Sequence, residues 1–240
     1  MEPVYMDNNA TTRVDPEVVE VMLPYFSEQF GNPSSIHSFG DKVGRAAKQA
    51  RKQVQQLIGA EYDSEIIFTS CGTESDSTAI LSALKTQPER KEIITTVVEH
   101  PAILTLCEHL EKEGYTVHFL EVDKKGRLDL EAYQALLSDQ VAIVSVMWAN
   151  NETGVLFPVE KMAGMAHAAG VLFHTDAVQA VGKLPIKLRD SKIDMLSLSG
   201  HKLHAPKGIG VLYLRRGVRY RPLLRGGRAG RSATSCVTCR

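Results

Sequence analysis

The stretch EIIFTSCGTESDSTAILSALK, residues 65–85, changes character halfway along. Its first six residues, EIIFTS, hold an apolar run and are rich in β-branched side chains, the composition of a short core strand. Cys71, Gly72 and Thr73 come next, and Glu74–Lys85 then carries apolar residues at helical spacing. A strand that runs through a small-residue turn into a helix is half of a strand–helix–strand unit. The rest of the chain repeats the theme.

Apolar runs recur at EIITTVV from Glu92, TVHFLEV from Thr116, VAIVSVM from Val141, VLFHTD from Val171, DMLSLS from Asp194 and GIGVLYL from Gly208. Helical patterns fall between most of them, at Ala102–Glu113, Leu130–Leu137 and Val159–Ala169. Such alternation predicts an α/β protein whose mostly parallel sheet is covered on both faces. Upstream, residues through DNNATTRVD are polar and irregular and read as an arm. Asp15-Pro16 opens a helix through Val18, Val21, Met22 and Tyr25. A basic amphipathic helix spans Val43–Ile58 and ends at Gly59.

Composition bounds the function. The 240 residues carry 28 basic and 28 acidic side chains, a formal net charge of +0. That balance gives no electrostatic reason to expect nucleic acid or an anionic membrane as the main partner. No apolar run is long enough to span a bilayer, and MEPVYMDNN does not read as a signal peptide. Four cysteines without a secretory signal read as reduced thiols, so the expected location is the cytoplasm.

Ligands of open α/β sheets bind beyond the carboxyl ends of the strands. The residues just after each predicted strand are therefore informative. The first strand leads into Cys71-Gly72-Thr73, the second into Glu99-His100-Pro101 and the fourth into Asn150-Asn151-Glu152. Asp176 and Gln179 come after the fifth, and Ser199-Gly200-His201-Lys202 after the sixth. Five strand ends bearing polar or ionisable groups predict one site.

Each group has a plain reading beside a chemical one. SCGTES, opening a helix, can receive a phosphate on backbone N–H groups and the Thr73 hydroxyl; it also fits an ordinary capped turn. Asp176, emerging from a buried strand, needs a cation: a protonated pyridine nitrogen or a structural arginine. His100 can stack on a planar ring or move protons, or simply cap a helix. His201 and His204 are equally ambiguous. Lys202, desolvated, can form a Schiff base with an aldehyde, or can be a flexible surface lysine. Together these groups suit pyridoxal phosphate: a phosphate cradle, a carboxylate for the ring nitrogen, a stacking histidine, an amide for the phenolic oxygen and a reactive lysine.

The motifs YMDNNATT, FGNPSSIHSFG, FTSCGTESD, VEHPA, WANNETG, FHTDAVQ and SGHKLHAPKG, in this order, resemble those of cysteine desulfurases of the nitrogen-fixation (NifS-like) type. The resemblance runs from about Val4 to Gly227. It implies the fold-type-I, aminotransferase-like architecture of pyridoxal-phosphate enzymes, with residues 1–227 as the cofactor-binding large domain and 228–240 as a divergent, irregular tail. By resemblance Lys202 carries the cofactor as a Schiff base, and His100 stacks on the ring and moves protons. Asp176 binds the ring nitrogen and Gln179 the phenolic oxygen, with Asn151 nearby. Gly72, Thr73, Ser199 and His201 hold the phosphate, and Gly200 is a further cofactor-binding residue.

The resemblance further implies that L-cysteine is converted to L-alanine while its sulfur passes to an enzyme thiol as a persulfide. From there it would go to an iron–sulfur scaffold protein, in service of nitrogen fixation, from a homodimer. Family members continue past this length into a smaller domain that holds the persulfide cysteine. After RPLLRGG this chain reads RAGRSATSCVTCR instead. The expectation is therefore a C-terminally shortened chain, the product of a shifted frame or truncated gene. It would lack the smaller domain, the persulfide cysteine, the substrate-carboxylate arginine and the contact to the partner's phosphate. Cys107 sits at core spacing, and Cys236-x-x-Cys239 is half a zinc site or a redox pair. Two other readings share these residues: a related enzyme (selenocysteine lyase or aminotransferase), and an inactive remnant that at most binds cofactor or a partner.

Overall fold

The computed structural model describes residues 3–224; the expected tail at 228–240, with Cys236 and Cys239, lies outside the described residues. Helices α1 (Pro16–Met22), α2 (Pro24–Ser27) and α3 (Ser38–Leu57) precede strand β1 (Ile66–Thr69). Beyond it come α4 (Gly72–Thr86), β2 (Glu92–Thr96), α5 (Pro101–Lys112), β3 (Thr116–Leu120), α6 (Leu130–Leu136), β4 (Val141–Ser145), α7 (Val159–Ala168), β5 (Leu172–Asp176), β6 (Met195–Ser199) and β7 (Gly210–Leu214).

All seven predicted strands form, in one sheet ordered β1-β7-β6-β5-β4-β2-β3. The β2–β3, β2–β4, β4–β5 and β5–β6 pairs are parallel, while β7 runs antiparallel between β1 and β6. Alternate side chains divide between two cores, as the two-residue period of a strand dictates. Ile67, Ile93, Met195 and Leu212 pack with Ile80 and Ala83 of α4 and Ile103 and Leu110 of α5. Ile66, Ile94, Leu196 and Tyr213 face Tyr133 of α6 and Met162 and Ala166 of α7. Burial on both faces explains why these strands read as continuous apolar runs.

Local chemistry sets the helix ends. Asp15 Oδ1 accepts from Glu17 N with Pro16 in the first turn, and Asp129 Oδ1 caps α6 through Glu131 N and Ala132 N. The first helix stops sooner than expected because Pro24 begins a separate turn, α2. The long helix α3 starts five residues before the expected Val43; Gly40 in its first turn packs on the Asn32 and Ser35 carbonyls, where a Cβ would lie 2.4 Å from either oxygen. Neither α1 nor α2 buries a residue, and Val19, Val21, Leu23, Phe26, Phe30, Ile36 and Phe39 are all exposed.

Candidate active site

The carboxyl ends of β1, β6, β5, β4 and β2 lie along one edge of the sheet and open into a cavity of about 590 Å³. That size falls within the range of small-molecule sites. Of the predicted residues, Gly72, Thr73, His100, Asn151, Asp176, Gln179, Ser199, His201 and Lys202 line it. Gly200 does not. It packs behind the wall, donating its N–H to Ile209 O at 2.9 Å, and a Cβ there would meet Ile209 Cγ2 at 2.6 Å.

One end of the cavity is the N-terminus of α4. The first N–H groups of a helix have no acceptor within it, and Cys71 at the N-cap makes no side-chain cap. Glu74 Oε2 accepts from Ser70 N at 2.7 Å and Ser70 Oγ at 2.6 Å, closing the turn. A Cβ on Gly72 would stand 3.1 Å from Val178 Cγ2 and 3.6 Å from Ser199 Cβ, so a side chain here would press on Val178. Backbone donors at a positive helix end and the Thr73 hydroxyl together match a phosphate.

Asp176 ends β5 and is 7 % exposed. Its Oδ1 accepts from Val178 N at 2.9 Å, and among the described residues no arginine or lysine pairs with it. Burial pushes its pKa up, with the Val178 hydrogen bond and the charges of His100 and Lys202 opposing. A buried carboxylate without a paired cation is costly, and a ring N–H⁺ in the cavity would supply one. The donor set therefore fits pyridoxal phosphate at both its charged ends.

His100 caps α5: its Nδ1 accepts from Ala102 N at 3.1 Å. The capping and the cavity-lining readings of this residue thus hold together. In the neutral imidazole the cap leaves Nε2 carrying the proton. Lys202 sits on a 3₁₀ turn after β6 (Gly200–Lys202). Burial lowers its pKa, the charge of Lys183 lowers it further, and Asp176 and Asp7 oppose. Gln179 donates Nε2 to Asn9 O at 2.9 Å and accepts from Lys183 Nζ at 2.9 Å.

Sequence reasoning passed over two parts of the wall. The arm contributes Asp7, Asn9 and Ala10. Asn9 Nδ2 donates to Asn151 O at 3.1 Å, and Lys202 Nζ donates to the carbonyls of Asn9 and Ala10. The second is a buried acidic floor, of which Asp76 lines the cavity while His174 and Glu99 (the latter singled out after the second strand) do not. Asp76 of α4 is 1 % exposed, its Oδ1 has no hydrogen-bond partner and its pKa is raised well above the carboxylate range, by burial first and then by Asp176. Beside it His174 bonds Ser145 Oγ and Ser197 Oγ, each at 2.9 Å, and burial lowers its pKa to about 3. Glu99 accepts from Met147 N and Thr96 Oγ1, and burial raises its pKa to about 8.

The family model for aminotransferase class-V matches residues 4–237. The cysteine desulfurase NifS of Azotobacter vinelandii is 75 % identical over 227 residues, which are 95 % of this chain and 56 % of that protein. A cysteine desulfurase of Gluconacetobacter diazotrophicus is 67 % identical over 228 residues, covering 95 % and 57 %. Among solved structures, a NifS-like protein superposes with a TM-score of 0.91 at 40 % identity, over 95 % of this chain and 63 % of its own. SspA in complex with cysteine gives 0.89 at 38 %, over 93 % and 65 %. The chain spans a little over half the length of the curated relatives it matches.

Proposed function

Since the chain belongs to the class-V aminotransferase family, whose members use pyridoxal phosphate, we propose that it forms the cofactor-binding part of a cysteine desulfurase. The observation that carries the reading is the placement of Lys202, with its lowered pKa, in one cavity with Asp176, buried and without a salt-bridge partner among the described residues, and the α4 N-terminus. When bound, the cofactor supplies an electron sink for bonds broken at the substrate's α- and β-carbons.

The residues divide the work. Lys202 would supply the amine that holds the cofactor at its aldehyde carbon, and burial together with the Lys183 charge favours its neutral, nucleophilic form. Asp176 fixes a protonated ring nitrogen. Gly72, Thr73, Ser199 and His201 hold the phosphate, and Gln179 and Asn151 orient the phenolic edge. Gly200 shapes the turn beneath them. His100, anchored through Nδ1, presents Nε2 as the atom that holds and moves a proton.

The net reaction is the conversion of L-cysteine and a thiol to L-alanine and a persulfide: the C–S bond breaks, carbon gains a hydrogen, and sulfur passes to the thiol. SspA, a solved relative in complex with cysteine, supports this substrate class. Cys107 is unsuited to accept the sulfur, being fully buried with its pKa pushed up to about 12. Cys71, at the N-cap of α4, forms part of the cradle. No acceptor is therefore assigned among the described residues. The proposal extends to residues 1–227 as the large domain, to a cytoplasmic homodimer, and to an iron–sulfur scaffold for nitrogen fixation as recipient.

Adding pyridoxal phosphate to the purified protein tests the core of this reading. A visible band that borohydride bleaches, retained on Lys202 by peptide mapping and absent in Lys202→Ala, is expected. No band in the unmutated protein would overturn it. With L-cysteine and a reducing thiol, alanine should then accumulate.

A further inference from the structure

The reactive lysine lies on a turn that the distant N-terminal arm grips on both sides. Thr12 donates its N–H and its Oγ1 to the His201 carbonyl, each at 2.9 Å, and its Oγ1 accepts from His204 N at 2.9 Å. These two partners flank Lys202 in sequence. Around them, Thr11 Oγ1 bonds His201 Nδ1 at 3.1 Å, Arg13 O bonds His204 Nδ1 at 3.0 Å, and Asp15 N donates to His204 O at 2.9 Å. Thr12 is 6 % exposed within an arm that is otherwise largely exposed.

The backbone explains why such a grip is needed. His204 has φ +57°, and among the described residues no other non-glycine has a positive φ. That conformation is disfavoured for a side-chain-bearing residue, and it persists where neighbours over-determine it. Here the N–H, the carbonyl and the ring of His204 are all held by Thr12, Arg13 and Asp15. The arm therefore keeps the turn after Lys202 in a shape that this stretch alone would not favour. It also holds the lysine itself, whose Nζ donates to the Asn9 and Ala10 carbonyls.

The geometry points to Thr12 as a positioning residue for Lys202: through its hydroxyl the arm sets the turn that aims the amine, and the Asn9 and Ala10 carbonyls hold that amine in the cavity until a carbonyl ligand takes it. Thr12 is not on the cavity wall, so it acts through the turn and not on the ligand. The inference rests on Lys202 being the group that takes the cofactor's aldehyde.

Stopped-flow mixing with pyridoxal phosphate tests it, with the growth of the visible band read as a rate constant and separately as an amplitude. Thr12→Val keeps the shape and removes the hydroxyl. Its rate constant should fall about tenfold, as expected from losing one or two net hydrogen bonds that hold the productive geometry. Thr12→Ser restores both bonds and should return within about twofold. A Thr12→Val protein with an unchanged rate constant overturns the inference, as does a loss confined to amplitude, which marks fewer folded molecules. Failure of Thr12→Ser to rescue overturns it too. Should Thr12→Val not fold, hydrogen exchange on the unmutated protein decides: the amides of Thr12 and His204 should open together, and a His204 amide that stays protected while Thr12 exchanges freely refutes the grip. No band in the unmutated protein would refute the parent reading instead.

Discussion

Replacing Glu99 by glutamine should make the protein less sensitive to alkali. The Glu99 carboxyl is 4 % exposed and accepts from Met147 N at 2.9 and 3.0 Å and from Thr96 Oγ1 at 2.8 Å. Burial outweighs those hydrogen bonds, with the nearby Asp176 charge adding to it, and raises the pKa from 4.5 to about 8. A carboxyl with a raised folded pKa contributes stability that is complete below its unfolded pKa and is lost as pH rises through the folded one. The window for Glu99 is therefore pH 4.5 to 8. Integrating the proton difference between about pH 5 and 7.5 gives about 3 kcal/mol, or roughly 10 °C in Tm for a chain of this size. Glutamine keeps the acceptor oxygen, places an amide where the protonated oxygen lies, and does not titrate. Urea unfolding of both proteins at pH 5, 6, 7 and 7.5 reads the difference, in which other titrating groups cancel. Glu99→Gln should gain on the unmutated protein by about 3 kcal/mol across this range. Parallel curves would mean that Glu99 is ionised in the fold and that the acidic floor does not keep its protons.

His174 should act with the opposite sign. Burial lowers its pKa from 6.5 to about 3, so its contribution is present above pH 6.5 and is lost as pH falls. About 2 kcal/mol should disappear from about pH 7.5 to 5, visible as a difference against His174→Gln in the same unfolding series. Gly210→Ala should damage the cradle, because a Cβ there would stand 2.5 Å from the Cys71 carbonyl carbon. Overpacking of this kind costs roughly 1–3 kcal/mol, and pyridoxal phosphate affinity by titration should fall with it. Alkylation and subsequent peptide mapping should show Cys71 modified in the native protein, with pyridoxal phosphate protecting it. Cys107, buried and with its pKa raised to about 12, should react only on unfolding.

The sheet was legible because strands buried on both faces leave continuous apolar runs, and each of the seven runs became a strand. What the runs could not carry was direction: nothing in GIGVLYL marks β7 as the antiparallel member. Helix starts slipped where apolar spacing is absent from the first turn, as at Ser38, or where small polar residues such as Gly72-Thr73 already take helical geometry. The strand-end rule gathered eleven wall residues, Cys71 and Glu152 among them, because parallel topology brings those ends to one edge. It passed over Asp76, since SDST inside an amphipathic helix reads as a solvated face. It also passed over Asn9 and Thr12, whose contacts to the 201–204 turn lie far apart in the chain, 189 and 193 residues, and leave no local periodicity. The available signal was the polar run DNNATT itself, which has no helical or strand pattern of its own.

The floor of the site contains three carboxyls, Asp76, Glu99 and Asp176, at 1, 4 and 7 % exposure. All three have raised pKa values, with burial as the leading cause, and Asp176 adds to the rise in the other two. Only for Asp176 do Lys202 and His100 pull in the other direction. Where several acids share one desolvated space, the negative charge settles on the one with cationic neighbours, and the others keep their protons. Of these three buried carboxyls, only Asp176 then carries negative charge, where it would meet a protonated ring nitrogen. Two isosteric variants separate these roles. Asp176→Asn removes the charge and should weaken pyridoxal phosphate binding by about tenfold or more, the scale of one charge-assisted hydrogen bond. Asp76→Asn replaces a group that already holds its proton and should cost only a few-fold. Equilibrium titration of the visible band at about pH 7.5 measures both, and equal losses in the two variants would show that the charge is shared and that Asp176 is not its seat.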